Sequence, residues 1–141
     1  MTDATPRWRY RFENYSKAFA LLKEAMELFD RRALSELEQE GLVQRFEYTW
    51  ELGWNLLADL LAEDGVALET KTPRTVIRAA YMARLIEDGE TWMDALAARN
   101  KMSHNYSKAQ FEKIVESIRL RFFGLLQKLH DVATARAASA P

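Results

Sequence analysis

The sequence predicts an all-α fold, an antiparallel up-and-down four-helix-type bundle with one additional short helix. Five glycines and three prolines are few for 141 residues, and apolar residues recur every three or four positions. No segment shows the alternation of a half-buried strand. A chain of this length needs only one core. We therefore expect a single helical domain over residues 1–132 and a flexible tail over residues 133–141, where the apolar period ends.

The first two helices are predicted by apolar stripes and one start signal. The first stripe indicates a helix that begins before or near Asn14. Its members are Tyr15, Ala18, Phe19, Leu22, Ala25, Met26 and Phe29. Ser35 and Glu38 have the spacing of a capping box, so the second helix should begin there. Its apolar series stops before Gly65, which should close it.

The remaining helices have equally local signals. Thr72 before Pro73 predicts the start of a short third helix, which residues 88–89 should close. A fourth helical stretch should end between residues 101 and 106. Ser107 begins a second capping box, and the apolar spacing of the helix that follows is the most regular in the chain.

The absence of cysteine excludes disulfides, thiolate metal sites and cysteine nucleophiles, and it is typical of a reducing compartment. The two histidines, His104 and His130, lack the spacing of a helical ligand pair. We therefore predict no metal and no other cofactor.

The charge and hydropathy patterns exclude two further classes of protein. Twenty basic and 21 acidic residues argue against a nonspecific nucleic-acid coat protein. The sequence contains no apolar run of about 20 residues and no signal-peptide core. We expect a cytoplasmic protein that makes no membrane contact.

The aromatic content suggests a second subunit. Trp50, Trp54 and Trp92, together with seven phenylalanines, exceed what a thin bundle must bury. Part of this surface is therefore expected to form a homodimer interface. The alternative is a well-filled monomer core.

Arg99 and His104 are the candidate catalytic pair. On one continuous helix they would point about 140° apart, so they can meet only if the helix ends near Ser103. An arginine fork holds phosphate, and a histidine exchanges protons at neutral pH. Together they suffice for metal-free RNA cleavage with the 2′-hydroxyl as nucleophile. The alternative is a surface arginine and a helix-capping histidine.

Tyr106 also has two interpretations. It precedes the cap of the last helix, and Phe111 occupies the position with which a hydrophobic staple would form. Its hydroxyl can nevertheless project into solvent.

Four basic residues are weaker candidates for a binding role. Lys71, Arg74 and Arg78 flank the start of the third helix, where backbone N–H groups favour an anion. They are candidate RNA or nucleotide contacts, as is Lys101, and the alternative is a solvated basic face.

Two glutamates on the second helix are candidate neighbours of the motif. Glu47 and Glu51 lie one turn apart and can approach Arg99 across the bundle. We assign Glu47 a positioning role, against the alternative that these carboxylates pair with Arg45 or with solvent.

Residues 99–106, R-N-K-M-S-H-N-Y, resemble the R-x4-H-x-Y motif of HEPN-domain proteins, the helical half of bacterial HEPN and minimal-nucleotidyltransferase pairs. Three further patches resemble the branch named nucleotidyltransferase substrate-binding proteins: residues 11–14, 41–54 and 88–92. The resemblance covers roughly residues 8–130. It is specific because four separate patches occur in the right order.

The resemblance implies a dimeric bundle with two motifs across a shared cleft. In toxin members the arginine and histidine cleave RNA, and the partner transferase silences the toxin by placing AMP on the tyrosine. Carried over, Arg99 would hold the scissile phosphate, His104 would be the acid or base, and Tyr106 would accept AMP. Asn100 and Ser103 are expected only to orient them.

Two functions remain open at this point. The first is a metal-independent endoribonuclease toxin that acts on RNA, with tRNA as a candidate target, and is restrained by a minimal nucleotidyltransferase. The second is a noncatalytic subunit that presents a nucleotide or substrate to that transferase. Both predict a heteromeric complex. A third interpretation, a structural dimer, requires the motif to be a coincidence.

Overall fold

The computed structural model describes residues 5–102 and 106–139, and this part of the chain is helical without a strand. The helices are α1 (Arg7–Arg31), α2 (Glu36–Glu63), α3 (Pro73–Met82), α4 (Gly89–Lys101), α5 (Lys108–Ser117) and α6 (Phe123–Ser139). The predicted all-α bundle is therefore confirmed. None of the helices in the described ranges is long and apolar enough to cross a membrane.

The predicted start signals act as expected. The Ser35 hydroxyl accepts a hydrogen bond from the Glu38 amide, and the Glu38 carboxylate accepts one from the Ser35 amide. The Thr72 hydroxyl accepts from the Thr75 amide at the start of α3. Ser107 repeats the reciprocal box at the start of α5. Side-chain oxygens thus satisfy amides that no preceding turn can bond.

One boundary prediction is wrong. Residues 88–89 begin α4 rather than close α3, which already ends at Met82. The Asp88 carboxylate accepts hydrogen bonds from both the amide and the hydroxyl of Thr91. An aspartate followed by glycine fits a turn and a helix cap equally well, so sequence alone did not separate the two.

Ion pairs show that α1 and α2 run antiparallel and that α6 lies against both. Arg11 near the start of α1 pairs with Asp59 near the end of α2, at 2.9 Å. Arg136 near the end of α6 reaches Asp64, just beyond α2, at 2.7 Å. The buried Tyr15 hydroxyl donates to the carbonyl of Leu126 at 2.8 Å.

The core buries the tryptophans within one chain. Trp50 and Trp92 are each 1% exposed, and Trp54 is 8% exposed. The three tryptophans from which we predicted a homodimer interface therefore lie in the core of one chain. Tyr10, Tyr48 and Tyr81 are more than half exposed, and the homodimer stays a prediction. Helix α3 packs against α2, and α4 packs against α3.

Residues 133–139 of the predicted flexible tail are helical, and residues 140–141 lie outside the described residues. Helix α6 continues to Ser139, with Ala133 fully buried. Arg9 of α1 donates to the carbonyl of Ala137 at 3.3 Å, and Arg136 makes two hydrogen bonds to Asp64. Small alanines give little hydropathy signal, but they allow the close helix contacts that order this segment.

A single wide turn, Ile118–Phe122, joins α5 to α6. The Phe123 amide bonds the carbonyl of Ile118, five residues back, instead of the carbonyl four residues back. This π-helical spacing keeps the two helices continuous while it changes their relative rotation. Such turns are frequent at functional sites.

Candidate functional site

Arg99 lies on the inward stripe of α4. It follows Trp92 by seven residues and Leu96 by three, spacings that place the three side chains on one face of a helix. Its side chain is 39% exposed, yet its Nε is buried without a hydrogen-bond partner among the described residues. The helix thus directs the arginine between α4 and α2, with only the tip near solvent.

The guanidinium of Arg99 pairs with Glu51 on α2. Its Nη2 lies 3.3 Å from Glu51 Oε2. Burial raises the pKa of Glu47, one turn earlier, and the positive charge of Arg99 partly opposes that rise. Glu47 therefore senses Arg99 electrostatically, whereas the hydrogen bond goes to Glu51, the glutamate that we had left outside the predicted site.

Two predicted site residues, Ser103 and His104, lie outside the described residues. The meeting of Arg99 and His104 therefore stays a prediction. Asn100 is exposed on α4, and Lys101 is exposed at its last residue.

Tyr106 packs against α5 and remains partly accessible. Its ring centroid lies 5.9 Å from that of Phe111, which matches the predicted staple. The residue is 40% exposed. The staple contact therefore leaves part of the residue accessible to solvent, and the exposure of the hydroxyl itself stays a prediction.

A cleft of about 430 Å³ lies between α4 and the α5–π-turn segment, and we call it the α4–α5 cleft. It is lined by Asp94, Ala97, Ala98, Lys101, Tyr106, Gln110, Lys113, Ile114, Ser117, Arg121 and Phe122. Of the predicted site residues, Tyr106 and Lys101 line it and Arg99 does not. The described part of the motif therefore faces two different environments.

The charges of the cleft are mostly positive. Arg121, from the wide turn, pairs with Asp94 on α4 and lies 3.4 Å from the Thr91 hydroxyl. Lys101 and Lys113 make no ion pair within the ranges that the structure describes. We had not predicted Lys113 or Arg121. The apolar spacing over residues 111–129 is that of one regular helix, and such a helix would have both side chains on its solvent-facing side.

The predicted anion surface at the start of α3 is separate from this cleft. Lys71, Arg74 and Arg78 are exposed, and none of them lines it. The ammonium of Lys71 lies 5.8 Å from the ring centroid of Trp54, a cation–π distance. Arg78 lines another cleft, of about 410 Å³, with acidic neighbours such as Glu87. Those carboxylates oppose an anion there.

His130 has a structural environment. Its ring centroid lies 5.0 Å from that of Phe19 and 5.4 Å from that of Phe12. Ser16 Oγ lies 3.3 Å from its Nε2, and burial lowers the pKa of the imidazole. Among the residues that the structure describes, no group of three or more histidines and carboxylates could hold a metal ion.

Comparisons with known proteins extend over nearly the whole fold. A family model described as "nucleotidyltransferase substrate binding protein like" matches residues 10–134. A protein of Thermus thermophilus with a known crystal structure is 29% identical, with a TM-score of 0.68. That match covers 86% of this chain and 97% of the Thermus chain. No curated protein is a significant match.

Proposed function

Because this chain belongs to the family of nucleotidyltransferase substrate binding protein-like chains, we propose that it is the helical partner of a separate nucleotidyltransferase and presents Tyr106 to it. The transferase would move AMP from ATP to the tyrosine hydroxyl. The observation that carries this proposal is the position of Tyr106, which packs against Phe111, is 40% exposed and lines the α4–α5 cleft together with Lys101 and Lys113.

The chemistry assigns a simple task to this chain. The phenolic oxygen of Tyr106 attacks the α-phosphorus of ATP, the bond to the pyrophosphate oxygen breaks, and the phenolic proton passes to a base on the transferase. The chain contributes an acceptor oxygen in a fixed place, which lowers the entropic part of the barrier. Lys101 and Lys113, in the same cleft, favour the negative charge that accumulates on the phosphates.

The test is intact mass measurement after incubation with ATP and the nucleotidyltransferase that copurifies with the chain. We expect a gain of one AMP by the wild type and none by Tyr106→Phe. Tyr48→Phe is the matched control, because Tyr48 is 59% exposed on α2 and lies outside the cleft, and it should be modified like the wild type. An unmodified wild type with an active transferase would reject the proposal.

A second candidate function is metal-independent RNA cleavage, favoured by one observation. Arg99, in the last turn of α4, has a partly exposed side chain that donates to a carboxylate, as it would donate to a phosphate. RNA would displace Glu51. The 2′-hydroxyl would attack the phosphorus, the 5′-oxygen would leave, and His104 would transfer a proton. The pairing with Glu51 makes this function secondary.

This candidate is tested with tRNA and a chelator present. Wild type should cleave, and His104→Ala and Arg99→Ala should each lose most of that activity, with proton transfer alone worth about 10² to 10⁴ in rate. Arg74→Ala, another exposed arginine, is the control. Intact tRNA with the wild type, or equal cleavage by His104→Ala, would remove the nuclease function.

The predicted homodimer matters for this second candidate function, in which two motifs would share one cleft. If two motifs share one cleft, sedimentation equilibrium should give twice the mass of the chain, and mixing Arg99→Ala with His104→Ala should restore part of the cleavage. A monomeric chain that still cleaves RNA would show that one subunit contains the complete site.

A further inference from the structure

A groove with apolar and acidic lining lies at the corner between α3 and α4, and we call it the α3–α4 groove. Its volume is about 410 Å³, and Ile77, Tyr81, Met82 and Met93 line it. Met82 is 80% exposed and Tyr81 is 52% exposed. Exposed methionine and aromatic side chains beside a concave surface are typical of a protein interaction site. We propose that this groove binds a segment of another protein in which a large apolar side chain is flanked by lysine or arginine.

The turn after α3 holds the exposed end of that helix in a defined shape. The Arg84 amide donates to the carbonyl of Tyr81 at 3.1 Å, and the Leu85 amide donates to that of Ala80 at 2.9 Å. Arg84 has a φ of 61°, in the left-handed position where glycine is usual at the end of a helix. Met82 is the last residue of the helix that this turn closes. The apolar surface is therefore preformed, which lowers the ordering cost of binding.

The Tyr81 ring is part of the same preformed surface. A Cβ at Gly89 would lie 3.2 Å from Cδ1 of this ring and 3.3 Å from its Cγ. The ring therefore lies directly against the backbone of the first turn of α4, where a larger residue would displace it. A ring that is held in this way and still half exposed offers an aromatic contact surface without loss of side-chain freedom.

The charge of the groove favours a basic partner. Glu87, Asp88 and Glu90 line it, and one guanidinium, that of Arg78, lines it as well. The Asp88 carboxylate already accepts two hydrogen bonds from Thr91. Glu87 and Glu90 are exposed and make no ion pair within the described part of the chain. These two carboxylates are complementary to lysine or arginine on either side of an apolar anchor.

The groove is separate from the candidate functional site. None of the residues that line it lines the α4–α5 cleft. Gly89 begins α4 and Arg99 lies in its last turn, so about 15 Å of helix separates them. The inference therefore goes beyond the proposed function, and a partner in the groove would leave Tyr106 accessible.

Fluorescence anisotropy with labelled synthetic peptides tests the inference on the purified chain, without a transferase. The probe is an amphipathic peptide of leucine and lysine. One comparison peptide has glutamate in place of lysine, and the other has serine in place of leucine. The probe should bind at least about tenfold more tightly than either of them. Met82→Ser should weaken the probe at least about tenfold, because the burial of a large apolar side chain is lost.

Leu37→Ser is the matched control for the apolar contact. Leu37 is 78% exposed near the start of α2 and lies outside the groove. The chain with Leu37→Ser should therefore bind the probe as the wild type does. Met82→Ala replaces Met82→Ser if that variant fails to fold.

A pair of glutamate substitutions tests the charge. Glu87→Gln and Glu90→Gln in one chain should weaken the probe about fivefold, through two exposed ion pairs. Glu27→Gln and Glu63→Gln make the same change in net charge at exposed residues outside the groove. The affinity of that control chain should stay close to that of the wild type.

Three outcomes would overturn the inference. The first is equal affinity of the wild type and Met82→Ser for the probe, and the second is an equal loss from the two glutamate pairs. The third is a dimer in sedimentation equilibrium that Met82→Ser dissociates, because a second copy of the chain would then cover the groove. Tyr106→Phe should bind the probe as the wild type does, so peptide binding and AMP transfer fail separately.

Discussion

Arg99 and Glu51, 48 positions apart in the chain, form a hydrogen-bonded ion pair that joins the end of α4 to the middle of α2. The pair uses one N–H donor of Arg99, at Nη2. A phosphate that binds the guanidinium would compete with Glu51 for that donor. The strength of the pair is measurable without knowledge of the ligand.

The ion pair should be weak. Both side chains are more than a third exposed, so water screens the attraction. We expect a double-mutant cycle of Arg99→Ala and Glu51→Ala to give a coupling free energy of about 0.2 to 1 kcal/mol in urea unfolding. A coupling free energy well above that range would mean that the ion pair is too strong for an anionic ligand to replace Glu51 easily.

Ionised Glu47 should lower the free energy of unfolding, by an amount that depends on pH. Burial raises the pKa of its carboxyl group, so ionisation at neutral pH destabilises the folded state more than the unfolded state. Glu47→Gln should therefore raise the urea midpoint at neutral pH, and the gain should disappear as the pH falls toward the ordinary pKa of about 4.3. Glu40→Gln, on the exposed side of α2, should show no such gain.

The Arg11–Asp59 pair should respond unequally to loss of each partner. The Asp59 side chain is 7% exposed and that of Arg11 is 25% exposed. Arg11→Ala leaves a buried carboxylate without a partner and should cost about 3 to 5 kcal/mol. Asp59→Ala leaves a guanidinium that can turn to water and should cost only about 1 kcal/mol. Equal losses in chemical denaturation would contradict this asymmetry.

Two helical glycines in α2 should give opposite results on substitution by alanine. A Cβ on Gly53 would lie 3.2 Å from the ring of Tyr15, whereas a Cβ on Gly41 would meet nothing within 4 Å. Gly53→Ala should destabilise by about 1 to 3 kcal/mol through overpacking. Gly41→Ala should stabilise by about 0.5 to 1 kcal/mol through helix propensity. Thermal unfolding of both variants provides the comparison.

His130 should make the fold sensitive to mild acid. Burial lowers the pKa of its imidazole, with a smaller opposing effect from Asp131 and a further lowering by Lys23. Stability is then complete above the ordinary pKa of about 6.5 and declines as the pH falls through it toward the lower value of the folded state. His130→Phe keeps the aromatic packing and should remove this part of the decline. If the stability of the wild type and that of His130→Phe fall equally with decreasing pH, the prediction is wrong.

The helix starts were predictable because each depends on neighbours in sequence. Ser35 and Ser107 carry their own capping partners three residues later, and Thr72 precedes a proline that favours the first helical turn. Residues 88–89 were misassigned because an aspartate and a glycine fit the end of one helix and the start of the next. The order of residues 133–139 was missed because it comes from contacts with α1 and α2.

The sequence predicted some members of the site but not its arrangement. The motif named Arg99 and Tyr106, and the spacing on α2 brought Glu47 and Glu51 into consideration. The sequence did not show that Arg99 and Tyr106 face different environments, because that depends on where α4 ends. Lys113 and Arg121 join a cleft only through the packing of α5 and the wide turn against α4, which leaves no periodic signal.

The number of residues in the wide turn Ile118–Phe122 matters for the packing of α6 as much as their side chains do. Loss of one residue there would turn all of α6 by about 100° relative to α5. Leu126 and Leu129 would then leave their places against α1 and α2, and the α4–α5 cleft would change as well, because Arg121 and Phe122 of this turn line it. Related chains should therefore accept exchanges of side chain within this turn more readily than the gain or loss of a single position.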